Sequence, residues 1–342
     1  MTDRRTTVFL VALVPLLVLV LLGVSVRVPF VAVGAGDTAD TLGSYNGHKV
    51  ITVEGRDVRK PDGELMLTTV GIRDELTLFE ALGYWLSSGT QIAPRDAYFP
   101  PTSTRQQTEA ASRAQFVGSE SNAMLSALDY LHVPTAPGVV SVVVKGPADG
   151  KLEPEDVITQ VDGKPVTRID DVGTLISAHR PGTQVPLTVQ RNGAPMPVTV
   201  TLGSKPGDKD KGMAGITVGM VPADSTLDIR FDVEGIGGPS AGLMLALGLV
   251  DMLGPTDLTG GKKVAGTGEI TPDGTVEPIG GIAHKLRGAK GQGASVFLVP
   301  QKNCAEAKAH PQDGLQMVKV DKLSDAVSSL GLVREGKPAP AC

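Results

Sequence analysis

Residues 8–26 read VFLVALVPLLVLVLLGVSV, nineteen positions without a charge. At about 1.5 Å of rise per helical residue, such a run matches a bilayer hydrocarbon core of about 30 Å. It therefore predicts a membrane-spanning helix rather than a helix buried in a water-soluble core. Arg4 and Arg5 precede it, and the cytoplasmic bias of basic residues predicts an N-in, single-pass orientation. A cleaved signal peptide is the alternative, but the apolar run is long and no A-x-A site follows it. The expectation is a cytoplasmic tail at residues 1–7 and an anchor at residues 8–27 in contact with the lipid bilayer. Everything after the anchor is expected outside the cell membrane.

The remainder of the 342 residues suffices for two or three cores. Glycine and proline are abundant, at 42 and 25, while aromatics make up only 4%, which favours short strands and turns. A net charge of −5 gives no reason to expect a nucleic-acid partner. The two cysteines, Cys304 and Cys342, form no C-x-x-C, which argues against structural zinc or thioredoxin-type chemistry. No metal and no cofactor is predicted. The cysteines are either a disulfide, if this region lies outside the cytoplasm, or two free thiols.

Residues 34–40 read as a small-residue linker. Residues 49–53 and 64–70 read as strands around a turn at Pro61, Asp62 and Gly63. Residues 76–86 suit an amphipathic helix, 95–104 a Pro/Tyr-rich loop and 106–131 a helical stretch. No chemical motif appears in this part, so residues 38–136 are expected to form a membrane-proximal α+β domain of structural role. From Gly138 the texture changes to dense β-branched runs, with an Asp-Gly turn at 162–163 and a helix candidate at 170–179. The spacing A-x-G-x-L-x-x-x-D-x-I-x-x-V-D-G at 148–163 resembles a PDZ domain of the bacterial-protease type, spanning residues 137–203. That resemblance implies binding of an extended peptide as an added strand, received at Gly138, Val139 and Val140 and lying beside the 170–179 helix. Glu155 departs from the family, which usually has glycine there. A charged Pro/Gly linker at 205–211 leads to an alternating α/β domain at 212–333, followed by a tail at 334–342.

Inside that last domain, FDVEGIGGPSAGLMLAL at 231–247 runs a short strand through a glycine-rich bend into an apolar helix. TVEPIGGIAHKL at 275–286 brings a second glycine pair to a helix start that carries Lys285. A serine hydroxyl is a weak nucleophile until a base removes its proton. Lysine can be that base only when burial brings its pKa down from about 10.4 by several units. Ile279, Ile282 and Leu286 supply apolar neighbours for Lys285. Ser240 at a helix entry sits where backbone N–H groups around Gly238 and Ala241 could stabilise an oxyanion. On local chemistry alone, a Ser after Gly-Pro at a helix start also reads as an N-cap.

Three motifs in order, GPSAG at 238–242, TGEI at 267–270 and PIGGIxxKL at 278–286, resemble the proteolytic domain of the Lon protease family. The resemblance implies Ser240 as nucleophile, Lys285 as general base, and Thr267 as a hydrogen-bond partner of Lys285. Anchor, PDZ domain and Lon-type domain together are similar to the membrane-anchored Lon-like serine proteases of Gram-positive bacteria. By analogy with the rings of related Lon domains, it implies a homo-hexamer. Two departures stand out. No ATPase pattern is present: residues 331–338 (GLVREGKP) have Pro where a phosphate loop needs Ser or Thr, so cleavage of protein or peptide substrates is expected to be ATP-independent. Bacterial Lon carries an acidic residue three positions before the serine, and here that position is Gly237.

GPSAG also satisfies the G-x-S-x-G elbow of α/β-hydrolases, with His284 or His310 and Asp251, Asp257 or Asp273 as triad partners for an esterase. That fold needs several parallel strands before the elbow, where this chain has a PDZ-like segment. A non-catalytic membrane adaptor presenting its PDZ domain is the other alternative. The overall expectation is an α+β multidomain protein: one transmembrane helix, a membrane-proximal domain, a PDZ-like β domain and a Lon-type α/β domain.

Overall fold

Local signals set where the helices begin and the sheets turn. The chain is described by a computed structural model covering residues 4–342, with side chains described from residue 11 onward. Residues 1–3 of the expected tail, and the side chains of its remainder, lie outside the described residues. Helix α1 (Arg4–Ser25) leads into strand β1 (Phe30–Asp40), followed by β2 (Ile51–Glu54), β3 (Glu64–Arg73), α2 (Leu78–Leu86), β4 (Gln91–Pro94) and the long α3 (Arg105–Tyr130). Capping boxes, Thr77 with Glu80 and Thr104 with Gln107, start α2 and α3. The middle of the chain holds β5 (Thr135–Val142), β6 (Val157–Val161), α4 (Ile169–Ser177), β7 (Gln184–Arg191), β8 (Ala194–Thr201) and β9 (Ile216–Pro222). The last part runs β10 (Asp228–Phe231), α5 (Gly242–Leu253), β11 (Lys263–Gly266), α6 (Ile282–Gly291), β12 (Val296–Pro300), α7 (Cys304–Ala309), β13 (Gln316–Val320) and α8 (Leu323–Arg334).

Among the described residues no helix is long and apolar enough to cross a membrane. The described side chains of α1 are mostly exposed and apolar, from Val11 to Val24. Helix α2 packs against it where Phe79 lies over Gly23. It leaves Leu78, Leu82, Trp85 and Leu86 exposed.

One sheet joins the two ends of the chain, in the order β13-β12-β11-β3-β1-β4. Strands β11, β12 and β13 are parallel to one another, and β3 continues the parallel run beside β11, Glu64 opposite Lys263 through Leu67 opposite Gly266. Strands β1 and β4 then add antiparallel. Apolar residues from both halves fill one core: Leu65 and Leu67 of β3; Phe116, Met124 and Leu128 of α3; Leu243, Leu247 and Leu249 of α5; Leu298 of β12. Strand β10 reaches back to pair with β2.

This corrects the expected domain plan. Residues 38–136 are not a unit of their own, and the expected linker at 34–40 is part of β1. Short strands separated by an inserted domain look self-contained in sequence, yet β3 pairs with β11 as well as with β1, and its Leu65 and Leu67 bury into the core shared with the C-terminal half. Strands β5 to β9 form a second antiparallel sheet in the order β8-β7-β6-β5-β9, with its own core around Val139, Ile158, Val172, Ile176 and Leu187. It is inserted between α3 and β10.

The tail expected at 334–342 is also held. Cys304 and Cys342 are joined by a disulfide, and Lys319 N–H donates to Pro340 O at 2.9 Å. The tail thereby lies along β13, the outermost strand, with Ala341 bridging Val318.

A chain restricted to residues 212–342 lacks β1, β3 and α3. It should show no cooperative thermal transition and should bind a hydrophobic dye strongly, whereas residues 28–342 melt in a cooperative step. A cooperative melt of the shorter chain would overturn the shared-core assignment. Within the longer chain, Leu128→Ala should cost about 2–5 kcal/mol by chemical denaturation.

Candidate active site

Helix α5 is buried along nearly all its length, every residue from Gly242 to Asp251, so it threads the core between the sheet and α3. Its N-terminus presents Ser240. The bend before it is fixed by α3 at two points: Gly238 N–H donates to Ser112 O at 2.9 Å, and Ser119 Oγ donates to Pro239 O at 2.9 Å. The packing also accounts for Gly237. A Cβ there would lie 2.4 Å from Ser112 Oγ, so α3 occupies the space that an acidic side chain would need.

Helix α6 starts at Gly281, whose φ of 72° lies in the left-handed region. A Cβ there would also press on Val70 of β3, at 2.8 Å. The helix consequently lies against β3 and directs Lys285 inward. Lys285 is 2% exposed. Its Nζ lies 2.7 Å from Ser240 Oγ, 2.9 Å from Thr267 Oγ1 and 3.0 Å from Thr68 O. Burial alone, with no carboxylate beside it, pushes its pKa down to about 7.

The three partners fix the proton arrangement. Thr68 O can only accept. Thr267 Oγ1 donates its own hydrogen to Ser240 O at 3.0 Å, so towards Lys285 it accepts. A neutral amine spends its two hydrogens on these groups, and its lone pair is left for the hydroxyl of Ser240. Once protonated, the ammonium has three hydrogens and three acceptors. Thr68 was not singled out by sequence reading, because its contribution is a backbone carbonyl on a strand 217 residues away in the chain. No side-chain motif marks it.

Gly238 and Ala241, expected around an oxyanion, differ. The Gly238 N–H is already taken by Ser112 O, which corrects its expected availability. The N–H groups of Ser240 and Ala241 have no acceptor among the described residues and stand at the positive end of the α5 dipole. The serine and lysine open onto a cleft of about 1080 Å³ lined in part by Gly36, Tyr84, Ser112 and Glu269. His284, one position from Lys285, points elsewhere. It lines a separate cavity of about 300 Å³ with Arg287, Glu306 and His310, and burial lowers its pKa. Asp251 is buried in an ion pair with Arg59. The Ser-Asp-His reading therefore finds no triad here. Among the described residues no cluster of His, Cys, Asp or Glu could hold a metal ion.

The inserted sheet departs from expectation at one place. The β5 edge at Gly138, Val139 and Val140, where a peptide was expected to add, is already paired with β9. Glu155 occupies the position expected for glycine with φ at 69°, and its carboxylate accepts from Ile229 N–H of β10 at 3.2 Å. That contact ties the inserted domain to the strand leading towards Ser240.

A serine hydroxyl meets a buried lysine at the entrance of a helix in an α/β core, an arrangement in which the amine can activate the hydroxyl as a nucleophile. Comparison names the class. Residues 234–333 match the Lon protease (S16) C-terminal proteolytic domain, and residues 114–202 match a PDZ domain; the chain thus carries a Lon-type proteolytic domain of the serine-protease kind and a PDZ domain. The PDZ match begins inside α3, which in the fold packs chiefly on α5. Curated relatives include a probable periplasmic serine endoprotease DegP-like of Ectopseudomonas mendocina, 31% identical over 123 residues, 30% of this chain and 26% of the relative. The periplasmic pH-dependent serine endoprotease DegQ of Escherichia coli is 38% identical over 65 residues, 18% of this chain and 14% of the relative. The chain thus spans about a quarter or less of the length of these relatives. Among solved structures, the PDZ domain of the SdrC-like protein from Listeria monocytogenes is 23% identical with a TM-score of 0.23, covering 24% of this chain and 86% of that one.

Burial of Lys285 has a stability consequence. Unfolded, the lysine holds its proton up to about 10.4; folded, it releases it near 7. Between those values the unfolded state binds more protons, so this group makes stability rise with pH. Lys285→Met should therefore melt higher than the parent. The gap should be largest below pH 7 and should shrink as pH rises towards 10; a gap independent of pH would contradict a neutral buried amine.

Proposed function

We propose that the chain is a serine endopeptidase in which Ser240 and Lys285 act as a catalytic dyad without ATP. The observation that carries this reading is the 2.7 Å contact between Lys285 Nζ and Ser240 Oγ in a site where burial brings the amine near neutrality at pH 7. In the first step Ser240 Oγ attacks the scissile carbonyl while Lys285 Nζ takes the hydroxyl proton. The ammonium is then held by Thr68 O and Thr267 Oγ1 while the oxyanion forms near the free N–H groups at the α5 terminus. Lys285 returns the proton to the leaving amine and next deprotonates the water that hydrolyses the acyl-enzyme.

Substrates are protein or peptide segments that enter the cleft in extended form, flexible or unfolded rather than stably folded. The PDZ domain contributes peptide binding. The location we assign is outside the cytoplasmic membrane, with residues 8–27 as anchor. The charge-free run of residues 8–26 and the Cys304–Cys342 disulfide support it, since such bonds persist in oxidising compartments.

Hydrolysis of an unstructured protein tests the dyad. Ser240→Ala and Lys285→Ala should each lose about a thousandfold or more in kcat, His284→Ala should stay near the parent value, and ATP should change nothing. Activity in the parent should climb with pH through an apparent pKa of about 7 as the amine loses its proton. Loss at His284 with activity retained at Lys285 would refute the dyad. Thr267→Val should lower both the pKa read from the pH–rate profile and kcat, whereas Thr267→Ser should restore most of both, because only the hydroxyl links Lys285 to Ser240 O.

A further inference from the structure

Helix α2 contributes nothing to a core: none of its residues from Leu78 to Leu86 is buried. At about 100° per residue, Trp85, Leu78, Leu82, Leu86 and Phe79 follow one another across about 120° of its surface. An apolar stripe of that width ordinarily faces a protein interior. Here Leu78 and Leu82 are 47% and 48% exposed, and Trp85 and Leu86 are 70% and 71% exposed. A contiguous apolar face left this open marks a surface that something else covers.

What α2 is fastened to decides the occupant. Its start is tied to the end of α1: Leu78 N–H donates to Val26 O at 3.1 Å, Val28 N–H donates to Leu76 O at 2.9 Å, and the Arg27 guanidinium pairs with the Glu75 carboxylate at 3.1 Å. About one turn further back, a Cβ at Gly23 would collide with the ring of Phe79. Gly23 and Val26 belong to the charge-free run of residues 8–26, so the medium that surrounds the end of that run also meets α2. Trp85 and Arg27 suit the level at which an anchor leaves a bilayer, where aromatic rings and the heads of basic side chains gather. Glu80 and Tyr84 fall on the opposite face of α2, and Tyr84 lines the cleft that holds Ser240 and Lys285.

We propose that α2 is an interfacial helix whose apolar face enters the lipid surface beside α1, so that the cleft opens at the bilayer. This placement rests on residues 8–27 acting as the anchor, and it makes lipid a partner of the folded part of the chain as well. The apolar stripe lies in the boundary of headgroups and acyl chains, as in other helices that lie along a membrane. One helix diameter, about 10 Å, separates that stripe from Tyr84 on the cleft wall. Segments of other membrane proteins just outside the bilayer are therefore the polypeptide held closest to Ser240.

The test uses the full chain in phosphatidylcholine vesicles, with and without bromine on the acyl chains, and reads the fluorescence of Trp85, the one tryptophan of the sequence. Bromine should cut the emission at least about twofold and acrylamide in the water should change it little, because a ring at the boundary of headgroups and acyl chains meets the bromines. Leu82→Glu combined with Leu86→Glu puts charge on the apolar face at two exposed positions and should abolish most of the bromine quenching. Retention through an alkaline wash of the same vesicles reports the anchor separately, and the parent and the double variant should both stay. Emission quenched by acrylamide and not by bromine would overturn the proposal. So would emission shielded from both, the mark of a protein cover such as a second copy, and so would bromine quenching that persists in the double variant. A chain quenched by bromine yet lost in the wash would refute the anchor and leave α2 at the lipid surface. Should the double variant fail to fold, the parent's response to the two quenchers still decides.

Discussion

The site depends on the removal of one ammonium group from water. Lys285 would ordinarily hold its proton far above neutrality, and nothing in its surroundings offers a compensating negative charge; the first cause of its lowered pKa is burial. The fold supports that burial with contributions from three separate parts of the chain: the β3 backbone through Thr68, the segment after β11 through Thr267, and the α5 entrance through Ser240. A buried polar group without partners would be strongly unfavourable. Here the amine is fully partnered in either protonation state, so the proton can move without leaving an orphaned group.

Much of this was legible in the sequence because the relevant signals are local. The glycine-proline entry to Ser240, the glycine pair before Lys285 and the threonine between them each sit on a short motif. What was not legible is the contribution of residues 30–130. Residues 34–40 of β1 read as a linker and β3 as part of a self-contained unit, because sequence periodicity reports which faces are apolar, not which partners cover them. The partner of β3 is β11, about two hundred positions later, with an entire domain inserted between. Likewise Gly237 could be read only as a missing acidic residue. The nearness of Ser112 shows that α3 fills that space.

The inserted domain repeats the lesson. Its PDZ pattern at 148–163 was plain from spacing, and Glu155 was plain as a departure. Neither revealed that the strand returning to the outer domain would run along the free edge of β5. A domain inserted into another must bring its two chain ends together, and the pairing of Thr135 with Pro222 does this. The returning strand is thus both the stem of the insertion and the edge strand of its sheet, while Glu155 adds a second tie through Ile229.

The pinned C-terminus carries a consequence of another kind. An edge strand with unpaired N–H and C=O groups is a template for further strands, and β13 would be such an edge. The tail that bridges Val318 through Ala341, fastened by Cys342 to α7, covers part of it. Held by its ladder contact and its sulfur at once, the tail closes part of that edge to a neighbouring strand, and a reductant that opens the bond would leave the edge held by the ladder alone.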